Sequence, residues 1–270
     1  QGCCIQPLVP TVAVRRRAML MSAAAPRGLA PCGTRRSDAG CYLLPVGAGV
    51  GLAPDAHQRL AQDKEAVVGL PLPRPAAGPS LTPEMLQHGL AKVEERRHQP
   101  TDRDRAYSAF LHALLGWGFF RGVPLDAQGV LRVNMPFCGG LSETPVLLPL
   151  LKECFLGPGS SVAGISVFGS DLEPQVGWWP TMQEWVARNL GPSVQLTFAQ
   201  QDLAEQVQMP PAGLIIAVHP RATLFGPWYS ILGNVLASRL PGARCVVATF
   251  FECEAVAVQR ICEHLGARVD

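Results

Sequence analysis

In chain order, the residues best suited to chemistry are Asn134, the turn Phe137-Cys138-Gly139-Gly140, Asp171, Asp202 and His219. A paired-glycine turn lets the backbone approach a ligand closely, and a helix after it offers unpaired N–H groups in its first turn. The stretch Val130–Ser142 has that order: an apolar run (Val130, Leu131, Val133), Asn134, the turn, and then Ser142-Glu143-Thr144 leading into a leucine-rich segment. It predicts a small-molecule pocket, although the spacing is not G-x-G-x-x-G. His219 precedes Pro220, which holds it extended. An imidazole there can orient a nucleophile or take its proton; a lone His is more often just a satisfied polar residue. Asp171 reads as a ligand group or as the start of a turn before Leu172-Glu173-Pro174. Asp202 reads as a ligand group or as a helix N-cap, with Glu205 completing a capping-box-like pattern. Trp178-Trp179 offers a stacking surface for something flat, or a partly buried lid. No G-x-S-x-G, H-E-x-x-H or G-x-x-x-x-G-K-S/T motif occurs, which removes the simplest hydrolase, zinc-protease and P-loop readings.

The elements that must position these residues begin at Val130. Strand-length apolar runs (130–134, 162–170, 194–199, 213–218, 244–250, with a stub at 267–270) alternate with helical segments (143–155, 180–190, 202–207, 227–240, 252–265). Repeated βα units predict an α/β fold: a mostly parallel central sheet, helices on both faces and right-handed crossovers. The near-continuous apolar run Gly213-Leu-Ile-Ile-Ala-Val218 suits a buried central strand. In such sheets the ligand lies beyond the carboxyl ends of the strands, where all the residues above fall.

Upstream, residues 41–103 read as an N-terminal extension with a helix and a Pro-rich linker (Leu70–Pro79). Thr82, Pro83 and Glu84 give an N-cap, a first-turn proline and a first-turn acid for a solvated helix reaching Arg97. A second helix, Asp104–Phe120, opens the 104–270 domain. It carries Ala106, Phe110, Leu114 and Trp117 on one expected buried stripe. Gly47, Gly49 and Gly51 before a helix at Asp55–Lys64 form a competing dinucleotide-type cluster. Pro45 interrupts the strand before it, and no strand ending in an acid follows at the required distance.

The charge is uneven. Residues 1–37 hold six arginines and no Asp or Glu, so of the net charge of +2 the remainder of the chain carries −4. This acid-free start resembles an organelle transit peptide, which implies a mitochondrion or plastid. The alternative is a disordered basic extension over 1–40 and a cytoplasmic location. The chain opens on Gln1, and Met19 or Met21 is an alternative start. Composition, 48% hydrophobic and 16% charged, fits a globular core. No apolar run of transmembrane length occurs, and the net charge gives no signal for nucleic acid. Nine cysteines with no C-x-x-C pair argue against a disulfide framework or a zinc site and for a reducing compartment.

The strand ends taken together (Asn134 with the glycine turn, Phe168-Gly169-Ser170-Asp171, Gln200-Gln201-Asp202, His219-Pro220-Arg221) resemble class I S-adenosylmethionine-dependent methyltransferases over roughly 104–270. The resemblance implies a Rossmann-like fold with S-adenosylmethionine as cofactor. It assigns the cofactor's methionine part to Asn134, Phe137, Cys138, Gly139 and Gly140, the ribose hydroxyls to Asp171, adenine to Asp202, and the substrate edge to His219 and Pro220. A carboxylate suits a diol because it accepts two hydrogen bonds at once. The glycine-rich motif is degenerate: Asn134 or Arg132 stands where the family has an acid, Pro136 enters the turn, and Asp171 lies 31 residues beyond Gly140. The chain ends as a sixth strand begins, so the family's last antiparallel hairpin is missing or comes from the N-terminal region. The functional expectation is a methyltransferase of unknown acceptor. The alternative is a catalytically degenerate member acting as a structural or assembly subunit, which implies a protein partner. A nicotinamide-dependent oxidoreductase using Gly47–Gly51 is the weakest reading.

Overall fold

A computed structural model describes residues 42–46 (as backbone), 81–140, 143–175, 177–205, 209–218, 220, 222–224, 226–249, 251–267 and 269. The basic stretch 1–37, the 47–51 glycine cluster, the helix expected at 55–64, the linker 70–79 and His219 lie outside the described residues. The elements are β1 (Tyr42–Val46), α1 (Pro83–His98), α2 (Asp102–Gly116), β2 (Val130–Pro136), α3 (Thr144–Leu156), β3 (Gly164–Asp171), α4 (Trp178–Leu190), β4 (Val194–Gln200), β5 (Ala212–Val218), α5 (Trp228–Ala237), β6 (Arg239–Thr249) and α6 (Glu252–His264).

The sheet runs β4-β3-β2-β5-β6-β1. The first five strands are parallel, and β1 pairs antiparallel with the outer edge of β6, Tyr42 opposite Thr249. From β2 the chain winds outward through β3 to β4, then returns to the other side of β2 for β5 and β6. That is the strand order of a doubly wound α/β sheet, and the reversal leaves a crevice between the carboxyl ends of β2 and β5. An edge strand leaves one row of backbone groups unpaired, which is why Pro45 can sit opposite Val246.

Strand parity divides the core in two. Leu214 and Ile216 of β5 join Leu131, Val133, Ile165 and Val167 beneath α1 to α4. Ile215 and Ala217 join Cys245 and Val247 beneath α5 and α6. Leu214, Ile215 and Ile216 are almost fully buried, each worth roughly 1.5–3 kcal/mol over an exposed side chain. This two-sided burial explains the unbroken apolar run. At Gly213 the strand passes so close to the preceding loop that a Cβ would lie 2.0 Å from the Pro124 carbonyl oxygen.

Two helices are fixed by their caps. Thr82 Oγ1 accepts the Met85 N–H at 3.3 Å, with Pro83 in the first turn of α1. Thr101 and Asp104 form a reciprocal capping box that starts α2 two residues before Asp104. The expected stripe on α2 is rotated. Tyr107, Phe110, Leu111 and Leu114 are buried, whereas Ala106 is exposed and Trp117, in the C-cap, is 66% exposed. The helix stops at Gly116, so Trp117 never reaches the core face. Residues 202–205 form a turn, not the helix expected at 202–207, because the Asn234 amide holds the Leu203 and Glu205 carbonyls at 2.9 and 2.6 Å. Helix α5 ends at Ala237 instead of Leu240. Among the described residues, no helix is long and apolar enough to cross a membrane.

Candidate functional site

The loop after β2 is built by two left-handed residues. Phe137 has φ +60°, the one positive φ among described non-glycine residues, and Gly139 has φ +49°. A bulky side chain in that region is strained and needs its surroundings to hold it. Here the Phe137 ring packs against Trp228 at 5.6 Å on the α5 side of the sheet. Cys138 N–H then donates to the Ser170 carbonyl at 3.1 Å, carrying the turn across to the end of β3.

At that end Asp171 meets the glycine turn. Gly139 N–H donates to Asp171 Oδ2 at 2.7 Å, and Glu173 N–H donates to Oδ1 at 3.3 Å. The Gly139 carbonyl accepts the indole N–H of Trp179 at 2.8 Å. Trp179 is held in turn by stacking on Phe198 of β4, with centroids 5.1 Å apart and planes 5° from parallel. Thus β2, β3, β4 and α4 all bear on one glycine. A Cβ on Gly139 would meet no described atom within 4 Å, so among the described residues Gly139 faces open space. Neither Met135, buried in the core, nor Phe137, packed on Trp228, fills that space.

The structure therefore brings Cys138, Gly139, Gly140 and Asp171 together. Gln201 N–H donates to the Asp171 carbonyl at 2.9 Å, which puts Asp202 at the neighbouring strand end. Asp202 is exposed, and its Oδ1 accepts the Ala204 N–H at 2.8 Å. Asn134 is buried and set apart from the turn. Its amide donates to the Pro210 carbonyl at 2.8 Å and to Ser238 Oγ at 3.2 Å, and its Oδ1 has no partner among the described residues. β5, the other wall of the crevice, ends at Val218, immediately before His219 in sequence. The Cys138 thiol is pushed far up, first by burial and then by the Asp171 carboxylate. It stays protonated at neutral pH and is not a nucleophile.

Three further buried polar atoms at this end of the sheet have no partner among the described residues: Thr144 Oγ1, Ser170 Oγ and Gln201 Oε1. Buried polar groups are almost always paired, so such orphans mark where water or a ligand completes the structure. All three lie in stretches singled out in the sequence, but their burial without a partner, like the role of Trp179 as the tether of the turn, depends on the fold. The Trp178-Trp179 doublet was the only trace of that tether.

Helices α1 and α2 flank the same region. Arg96 Nε donates to both Asp104 carboxylate oxygens, at 3.0 and 2.8 Å, joining the two helices. Arg103 of α2 pairs with Glu143 at the start of α3. The Trp185 indole of α4 donates to Glu94 of α1 at 2.7 Å.

No family model matches the chain, and no curated protein matches it in sequence. Among solved structures it is similar to magnesium protoporphyrin IX methyltransferase from Synechocystis PCC 6803 with bound SAH, at 14% identity and a TM-score of 0.39, over 78% of this chain and 82% of that one. It is also similar to an S-adenosylmethionine-dependent methyltransferase from Clostridium acetobutylicum (13% identity, TM-score 0.36, 60% and 56% covered). A third is an amino pentose methyltransferase from Micromonospora echinaspora (15%, 0.34, 60% and 56%). The fold assignment rests on the strand order, not on these overlaps.

Proposed function

We propose that the chain is an S-adenosylmethionine-dependent methyltransferase whose cofactor lies beyond the carboxyl ends of β2 and β3. The observation that carries this reading is the Gly139–Asp171 contact. It places a carboxylate beside a glycine turn where, among the described residues, Gly139 faces open space, at the switch point of a doubly wound sheet. A carboxylate has about four acceptor sites, and Asp171 uses two, one of them in a long bond. The remainder suit the two hydroxyls of a ribose. Asp202 keeps Oδ2 for an adenine amino group. The residues present thus fit the cofactor.

When bound, S-adenosylmethionine supplies a methyl group already activated on a sulfonium. The protein's part is then to align an acceptor with it and to exclude water. In this reading the Cys138–Gly140 backbone and Asp171 hold the cofactor, and His219, next in sequence after β5, is the candidate for accepting or steering the acceptor's proton.

Two observations favour the second reading, a degenerate fold serving as a subunit of an assembly. Both polar backbone groups of Gly139 are satisfied within the protein, and the family's acid is replaced by an Asn whose amide is bonded in the interior. Calorimetric titration with S-adenosylhomocysteine separates the two. The first reading expects saturable binding that Asp171→Ala weakens by about tenfold or more, the loss of one or two charge-assisted hydrogen bonds. Absence of heat at millimolar ligand, together with co-purification of a stable partner, selects the second.

A further inference from the structure

Beside Gly140 lies a cleft of about 250 Å³, walled by Val93, Trp178 and Met182. A larger one of about 510 Å³ adjoins it, and Arg96 and Pro145 line both. Together they form a slot that begins at the glycine turn and runs outward between α1, α2 and the start of α3. Its two ends differ chemically. Near Gly140 the walls are mostly apolar and aromatic, with Lys92 and Arg96 at their border. Trp178 is 39% exposed, and its ring lies 3.6 Å from where a Gly140 Cβ would be. The far end presents Arg96, Arg97 and Arg105 against a single carboxylate, Asp104.

Asp104 is already committed to Arg96, which leaves Arg97 and Arg105 to set the field at the far end, with Lys92 at the near one. Arg97, with its side chain 45% exposed, is paired to Glu94 at 3.3 Å. Glu94 also receives the Trp185 indole N–H. Arg105, 60% exposed, is paired to Asp102, a carboxylate that is itself 99% exposed. Exposed pairs of this kind contribute little and exchange readily. A carboxylate or phosphate brought into the cleft offers a planar guanidinium a better-shielded partner than either.

We infer that this slot is the acceptor site and that it takes a small amphipathic anion. Its flat apolar body lies on Trp178 beside Gly140, and its carboxylate or phosphate is held by Arg97 and Arg105. The anion anchors the molecule; the end that receives the methyl group is the opposite one, next to the glycine turn. The acceptor role rests on the cofactor reading above, whereas the preference for an amphipathic anion does not.

The full chain is titrated by calorimetry with 2-naphthoate, 2-naphthyl phosphate and the neutral 2-naphthalenemethanol, and separately with S-adenosylhomocysteine. The expected result is at least tenfold tighter binding of one or both anions than of the alcohol, as one charge-assisted contact implies. The better anion identifies the headgroup. Arg97→Gln with Arg105→Gln should bring the anions to within about twofold of the alcohol while leaving S-adenosylhomocysteine binding unchanged and unfolding cooperative. Trp178→Ala should weaken all three naphthalenes. Equal binding of acid and alcohol, no binding at millimolar concentration, or an anion preference that survives the double arginine variant overturns the inference. Anion preference without S-adenosylhomocysteine binding leaves the slot as an anion site and removes its acceptor role.

Discussion

Replacing Asp104 by Asn removes one charge from the joint between α1 and α2 while keeping the side chain's size. In the folded protein this carboxyl is lowered to about 2: burial works against ionisation, but hydrogen bonds from Arg96 and Thr101 outweigh it. Relative to the usual 3.8, the ionised form is favoured in the fold by about 2 kcal/mol. An independent figure comes from the contacts themselves. Hydrogen bonds to charged groups are worth roughly 1.5–3 kcal/mol, and the Arg96 side chain is 30% exposed, so water recovers part of its loss and favours the lower end. Asp104→Asn should therefore destabilise the protein by about 2 kcal/mol near neutral pH, a fall of roughly 4–8 °C in Tm for a domain of this size. Because the folded pKa is depressed, this contribution is fully present above the unfolded value. It is lost as pH falls through the folded value, with about half remaining near pH 3. Urea unfolding followed by Trp fluorescence, on wild type and variant from neutral pH down to about pH 3, measures the gap directly. A gap below about 0.5 kcal/mol at neutral pH, or one that stays constant into acid, refutes the assignment of Asp104 as a charged clamp.

Two other consequences follow from packing. Gly213→Ala should lower stability by about 3 kcal/mol or more, because its Cβ would lie 2.0 Å from backbone that has no room to yield; a wild-type urea midpoint would show that β5 and the Pro124 loop are not so closely apposed. Among the described cysteines, Cys154 and Cys253 are exposed, whereas Cys138, Cys245 and Cys262 are buried with raised thiols, Cys245 to about 12 and Cys262 to about 11. Iodoacetamide labelling of the folded protein, mapped by mass spectrometry, should modify the first pair within minutes and the other three only after unfolding; early labelling of Cys138 would mean that the glycine turn opens.

The sheet was legible because its strands are buried on both faces, and burial writes itself into sequence as runs such as 213–218. Caps were legible where a single residue does the work, as at Thr82. Features that depend on a distant partner were not. Asp202 and Glu205 have capping-box spacing, yet Asn234, some way along the chain, holds their segment in a turn. Trp117 keeps helical spacing with Leu114 but falls one residue past the helix. Asn134 was visible as a departure from the family pattern. That its amide bonds to Pro210 and Ser238 required the fold. The tether from Trp179 to Gly139 likewise spans forty residues, and no local pattern encodes it.

The antiparallel pairing of β1 with β6 carries a consequence for how the molecule assembles. Tyr42 and Thr249 are about two hundred residues apart in the chain, and loop-closure entropy makes such long-range pairing slow. During synthesis, β2 to β4 can pair with one another as they emerge, but β1 must wait for a partner made near the end. Once β6 is made, its outer edge, with Val246 and Val247, is a template open to other chains until β1 docks on it. Docking of β1 is therefore the event that closes this side of the sheet to edge-to-edge association.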